Sequence, residues 1–244
     1  MDSLLEFTRT LVRAGRQDLT QYYRYGSRRP KFGELLFVNP ANCLKRISSG
    51  NAPYLNYSGL VLEAPWPEQL ETDLIVPGGK MASCYAHWVE GKTWAECGYL
   101  DAMLERIKNK GPEDGCSNKQ DILRRCQKLD RLFEETQKQR CLKRQSELRI
   151  LSFRERGGIY MSIDARGNLV KTGGGNHRLL IAQILGLELI PVQVGIVHID
   201  GIDAFLQLRN ERDERLRLAD WKADDLEWCP EPESNRHDRE VERF

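Results

Sequence analysis

The stretch from Gly158 to Val197 constrains this chain more than any other. Gly158–Ile163 has the β-branched and aromatic content of a strand, and Asp164-Ala165-Arg166-Gly167-Asn168 is a turn with glycine where a positive φ is needed. Leu169-Val170-Lys171 returns as the partner strand, so the segment reads as a hairpin. It runs into Gly173-Gly174-Gly175, then into a short apolar helix from His177 to Leu185 ended by Gly186, and Ile190–Val197 is a further strand. Without Cβ atoms, the glycine backbone can take left-handed geometry and let a ligand approach closely. The free N–H groups of a helix's first turn, with the helix dipole behind them, favour an anion there. Asn176 is placed to cap the helix, His177 can donate from a ring nitrogen, and Arg178 brings a fork of donors suited to phosphate oxygens. Gly173, Gly174, Gly175, Asn176, His177 and Arg178 together read as a phosphate-binding turn. The residues alone leave open a second reading, a tight structural turn in which His177 and Arg178 make internal hydrogen bonds. The spacing fits neither the P-loop nor the dinucleotide fingerprint.

The rest of the chain surrounds this unit. Ser3 and Glu6 start a helix whose apolar face includes Leu4, Leu11 and Val12, with Gly15 as its expected stop. Residues 34–40 read as a buried strand ended by Pro40, and residues 41–80 as irregular chain rich in Pro, Gly and Asn. Thr93 and Glu96 form a second capping box. Ser117 and Gln120 are expected to cap a longer helix whose seam is Ile122, Cys126, Leu129, Phe133 and Thr136. A charged helix is expected from Ala204 to Trp228, with a disordered tail over 229–244.

Composition narrows the classes. A formal charge of +1 gives no whole-chain field for nucleic acid or an anionic membrane. Between Glu105 and Arg156 there are 15 Lys/Arg against 9 Asp/Glu, a basic bias that helical faces often carry without a partner. The seven cysteines are scattered with no Cys-x-x-Cys pair, so free thiols are expected and no metal site is assigned. The acidic N-terminus does not resemble a signal peptide and no window is apolar enough for a membrane span, so a cytoplasmic location with no membrane partner is expected.

Thr172–Ala182, with Leu185-Gly186-Leu187 and Ile190-Pro191-Val192-Gln193-Val194, resembles the core of the ParB/sulfiredoxin superfamily, whose members carry Gly-x-His-Arg or Gly-x-x-Arg at a helix start followed by an Ile-Pro-Val strand. The resemblance covers about residues 155–200. It implies a nucleotide-phosphate site, used in that superfamily for CTP hydrolysis, ATP-dependent sulfinic-acid repair or phosphorylation of free serine. His87–Trp94, Gly115-Cys116 and Arg125–Leu132 are further similar to a group of prokaryotic ParB-like proteins, which suggests that residues 85–200 act as one unit.

The reactions are not equally compatible with these residues. Sulfiredoxin chemistry needs a cysteine where this chain has Asn176, and a carboxamide cannot replace a thiol nucleophile. Only 46 residues follow His198, little room for partition-type DNA-binding and dimerisation domains, and no paired acidic cluster suggests a nuclease. Phosphoryl transfer would need positive charge on the phosphates, usually magnesium, and a carboxylate base. Arg125 could add charge, His177, Asp130 and Glu155 are the catalytic candidates, and Asp164 and Asp200 are further carboxylates.

The expectation is therefore an α+β protein with a small mixed sheet carrying the Gly-x-His-Arg helix, preceded by a mainly helical region. Its parts are an N-terminal extension (1–84), a helical region (85–150), the phosphate-binding core (151–203) and a charged C-terminal helix and tail (204–244). The expected ligand is a nucleotide di- or triphosphate with magnesium, and the expected function is phosphoryl transfer to a small-molecule acceptor or nucleotide hydrolysis. The alternatives are a non-catalytic, nucleotide-gated binding module, or a DNA-binding or nuclease ParB-like protein, with nucleic acid not favoured.

Overall fold

Nine consecutive buried residues, Ile190–His198, form the central strand β7 of a computed structural model that describes residues 2–48, 50–75, 79–148 and 150–222. A strand buried on both faces needs cover on both. Parallel to β7 runs β5 (Ile159–Ile163), and β6 (Leu169–Lys171) folds back on β5 as the expected hairpin. Asp164 fastens that turn by accepting the N–H groups of Arg166 at 2.8 Å and Asn168 at 2.7 Å, and Gly167 takes φ 83°.

The remaining four strands come from the segment expected to be an extension. These are β1 (Leu35–Val38), β2 (Lys45–Ile47), β3 (Leu60–Leu62) and β4 (Glu71–Asp73). The sheet order is β1-β7-β5-β6-β2-β4, with β3 also paired to β7. β1 lies antiparallel to β7, β2 lies parallel to β6, and β4 closes the far edge antiparallel to β2. Residues 41–80, expected to be irregular, thus carry three short strands among their loops and 3-10 turns. Strands three residues long leave too short an alternation to register against Pro and Gly, and they exist here because neighbouring strands supply their ladders.

Among the described residues the fold is α+β, with seven helices and a mixed open sheet of seven strands. Helix α6 (Asn176–Ile184) lies between two cores. Leu179 and Ala182 join Ile159, Met161 and Val192 of the sheet. Leu180, on its other side, joins a helical layer built from α2 (Lys80–Trp88), α3 (Tyr99–Lys110) and α4 (Lys119–Gln139) through Met81, Met103 and Ile122. Burying each such side chain contributes about 1.5–3 kcal/mol, so α6 is anchored from both sides despite its nine residues.

The seam of α4 appears as expected, with Ile122, Cys126, Leu129 and Thr136 buried. Its cap is one residue late: Asn118 accepts the Asp121 N–H at 3.0 Å, rather than Ser117 pairing with Gln120. The Thr93–Glu96 box forms, but it closes a turn ahead of α3 rather than starting that helix. Helix α1 (Asp2–Tyr25) does not stop at Gly15. A mid-helix glycine costs about 1 kcal/mol. The following turns offset this by docking, Gln17 onto the Ser58 carbonyl and Asp18 onto the Phe32 N–H at 2.8 Å.

The C-terminal helix α7 (Ile202–Lys222) buries Phe205 in the sheet core, and its Arg209 and Arg212 both bind Glu34 at 2.8 Å. Between them these arginines hold the buried Glu34 below the usual carboxylate range, against the upward push of burial. A short α5 (Gln145–Leu148) leads back toward β5. The expected helical extension to Trp228 and the tail at 229–244 lie outside the described residues. Cys43, Cys84, Cys97, Cys116 and Cys126 are free thiols, as expected of them. No helix among the described residues is long and apolar enough to cross a membrane.

Candidate functional site: a glycine turn over a buried lysine

The turn between β6 and α6 is shaped from below. Lys171, the last residue of β6, is 1% exposed, and its Nζ donates to the carbonyls of Thr172 at 2.7 Å, Gly173 at 2.9 Å and Gly174 at 2.6 Å. In a trans peptide the N–H points opposite to the C=O. Gathering three successive carbonyls under one ammonium therefore turns the N–H groups of Gly173, Gly174 and Gly175 outward. None of these three donates to another group among the described residues, and the first intrahelical bond is Leu179 N–H to the Gly175 carbonyl at 3.1 Å. The outward N–H groups are thus continuous with those of the first turn of α6, an anion-attracting concavity.

Two of the three glycines are obligatory. Gly173 and Gly175 have φ 57° and 89°, and a Cβ on Gly175 would lie 2.6 Å from the Ile159 Cα. A Cβ on Gly174 would meet nothing within 4 Å, which leaves open space over the middle of the turn. Gly175 rather than Asn176 is the residue at the N-cap; Asn176 is the first helical residue and makes no cap bond.

Cations from four other elements stand around this turn. Arg46 of β2 is in register with Lys171. Lys80 at the start of α2 binds Glu113 at 3.1 Å and also Asp114. Arg106 of α3 shares Glu113 at 3.2 Å, and Arg125 of α4 lies 3.5 Å from Asp114 and donates to its backbone carbonyl at 3.1 Å. Three of these cations, Lys80, Arg106 and Arg125, thus share two carboxylates, Glu113 and Asp114. The Nε of Arg125 is buried and has no hydrogen-bond partner among the described residues. Burial alone would raise the Asp114 carboxyl, but Lys80 and then Arg125 hold it below its ordinary value.

Of the residues singled out in the sequence, His177 and Arg125 come together here. His177 is 8% exposed, and its Nε2 lies 3.5 Å from the Tyr99 hydroxyl. Burial, and then Arg125 and Lys80, push its pKa down to about 4. The imidazole is therefore neutral at pH 7 and adds no charge. The native pKa lies below the unfolded 6.5. The unfolded chain thus takes up the proton first, and this residue costs stability as pH falls from about 6.5 toward 4. His177→Gln is expected to flatten that part of the urea-unfolding profile; an unaltered acid limb would count against a buried neutral imidazole.

Arg178 departs from the turn. It donates to the Lys143 carbonyl and is attracted to Glu155 and Glu147, while its second terminal nitrogen is buried without a partner among the described residues. Glu155, 2% exposed, accepts the Gln145 N–H at 3.0 Å through one oxygen, and the other has no partner among the described residues. Burial raises its pKa against the opposing pull of that N–H and of Arg178. Asp130 lies elsewhere, among aromatic rings: it accepts from the indole N–H groups of Trp94 at 2.9 Å and Trp88 at 3.3 Å, and lies 3.1 Å from His87 Nε2. The structure thus gives Asp130 the work of holding α2 and α4 together. Asp164 is spent on the hairpin, and Asp200 is exposed beside His198.

The sequence reading missed Lys171, Lys80, Arg46 and Arg106. A lysine ending a strand just before a glycine run was the available signal for Lys171; the others are isolated charges whose meaning comes only from the pairing of β2 and the packing of α2 and α3. No protein-family model, curated protein or solved structure matches the chain.

Proposed function

We propose that the Gly173–Gly175 turn, the first-turn N–H groups of α6 and the cations around them bind the phosphates of a nucleotide, on a ParB/sulfiredoxin-like core. The observation that carries this reading is the Lys171 ammonium, which spends all three of its protons on turning the glycine N–H groups outward. The fit to a phosphate is supported by the open space at Gly174 and the unpartnered Nε of Arg125. Glu113 and Asp114, the carboxylates at this ring, are each bound to Lys80 through one oxygen.

A gated binding module is the form of this function that the site residues favour. The base that phosphoryl transfer requires would have to be Glu155, which stands beside Arg178, because Asp130 is held in its aromatic cage. A melting screen with ATP, ADP, CTP and GTP, with and without magnesium, tests the reading. Binding at a hundredfold excess over Kd would stabilise the fold by roughly 2.7 kcal/mol. Arg125→Gln should weaken the affinity by roughly 10- to 100-fold, the value of one charge-assisted contact. No shift with any of the four nucleotides would sink the proposal. Release of diphosphate during incubation would move the reading from module to enzyme.

A further inference from the structure

We infer that the solvent face of α1 is the contact surface of a two-fold dimer, in which it pairs antiparallel with α1 of a second copy of this chain. Thr10, Ala14 and Gln21 of this helix are buried. At 3.6 residues per turn the far side carries Leu5, Thr8, Val12, Gly15, Leu19 and Tyr22, spaced alternately by three and four. All six are exposed, the four large ones by 52% to 69%. That spacing is the seam of a helix pair, and here it points to water on a helix already fastened to the protein by its other side. Leu4, Leu11 and Tyr23 flank the seam and are exposed too. At roughly 200 Å² for a large side chain, this face leaves on the order of 800 Å² open, about what one partner contributes to a standard dimer interface.

The residues of this face say what covers it. In an antiparallel pair each seam residue meets one placed symmetrically about the middle of the helix, which for Asp2–Tyr25 falls between Arg13 and Ala14. Val12 then meets Gly15 of the second copy, Leu19 meets Thr8, and Leu5 meets Tyr22. Large side chains thus lie opposite small ones at two of the three kinds of contact. A Cβ at Gly15 would meet nothing within 4 Å in the single chain, so the space offered to Val12 is open. The same pairs recur on both sides of the axis, as a two-fold interface requires. A parallel pair would instead set Gly15 against Gly15 and leave a gap. Beside the seam, Val12, Gln17 and Leu60 wall a groove of about 570 Å³ into which the flank of a second helix can settle. One flank carries a cost. Arg9 faces Arg16 of the second copy, and neither has a carboxylate partner among the described residues.

Sedimentation equilibrium of the full chain across a concentration series tests this. The wild type should be a dimer that dissociates in the micromolar range and tightens as salt screens the facing arginines. Val12→Glu and Leu19→Glu should each weaken dimerisation about 100-fold, because a two-fold interface suffers each change twice. Both positions are exposed, so the monomer should keep its circular dichroism and melting temperature, and a defect in one variant leaves the other to decide. Arg16→Glu sets a carboxylate against Arg9 in both symmetric contacts and should tighten the dimer about 3- to 10-fold, with the salt dependence reversed. This variant also reads the direction of pairing, since in a parallel pair Arg16 lies beside Leu11. A wild type that stays monomeric up to about 100 μM, or a dimer that survives both seam variants, overturns the surface. An Arg16→Glu dimer no tighter than wild type overturns the antiparallel pairing. A monomeric wild type that floats with phosphatidylglycerol vesicles, and loses this with Val12→Glu, would make a membrane surface the occupant and overturn the second copy.

Discussion

Lys171→Met is expected to weaken phosphate binding at the glycine turn by about 100-fold, close to 2.7 kcal/mol. Methionine fills the space of the lysine stem but offers no proton to the carbonyls of Thr172, Gly173 and Gly174. The carbonyls would rotate toward other donors and the N–H groups would turn with them, so the variant loses both the charge and the shape of the site. A pH signature separates this cause from a general folding defect. Burial pushes Lys171 down to about 7 from 10.5. Above pH 7 the neutral amine has two protons for three carbonyls, and wild-type affinity should fall. Stability should move the other way. Between the native and unfolded values the unfolded chain holds more protons, so the contribution of this residue to stability rises with pH. The comparison is best made from pH 7 to 9, because the neighbouring Cys43 thiol, pushed up to about 11 by burial, acts in the opposite sense above its ordinary 9.0. Titrating both proteins across that range by calorimetry and urea unfolding reads the two trends. Profiles that run parallel in wild type and Lys171→Met would refute the role given to the ammonium.

The second large effect is expected at Gly175. An alanine there meets two penalties at once: a left-handed φ of 89° and a Cβ 2.6 Å from the Ile159 Cα. Neither a rotamer change nor a flexible side chain can relieve a backbone contact. The left-handed conformation alone costs about 1–2 kcal/mol, and displacing the start of β5 adds to it. The total of roughly 3 kcal/mol corresponds to a fall of about 10 °C in Tm for a chain of this size. Gly174→Ala is the matched control, since its Cβ would enter open space. Equal melting temperatures for the two variants would mean that the turn is not built as described.

The parts of the fold that were legible in the sequence are those with local signatures. The hairpin, the helix after the glycine run and the strand from Ile190 each carry their own periodicity or turn chemistry. β2, β3 and β4 do not. Three residues such as Lys45-Arg46-Ile47 have no alternation to read, and they are strands because β6 and β4 pair with them. The same distinction runs through the site. The glycines and Arg125 could be picked from residue type and position on a helix. The commitments of Asp130 and Arg178 could not, because they depend on which indoles and carbonyls the packing brings within reach. The motif Asn176-His177-Arg178 suggested charged donors aimed at a ligand. Burial makes His177 neutral, and Arg178 is drawn toward Lys143 and Glu155, so the positive charge comes instead from strands and helices distant in sequence.

The pairing of β2 with β6 bears on modularity. A unit cut to residues 151–203 would keep the hairpin, the glycine run and α6, everything by which the motif is recognised. It would also present the outer edge of β6 unpaired, an open ladder prone to sticking to other chains. Arg46, Lys80, Arg106 and Arg125 would all be missing from it. The most recognisable segment of this protein is therefore not a portable cassette, and a graft of it onto another scaffold would transfer the glycines without the cations that surround them.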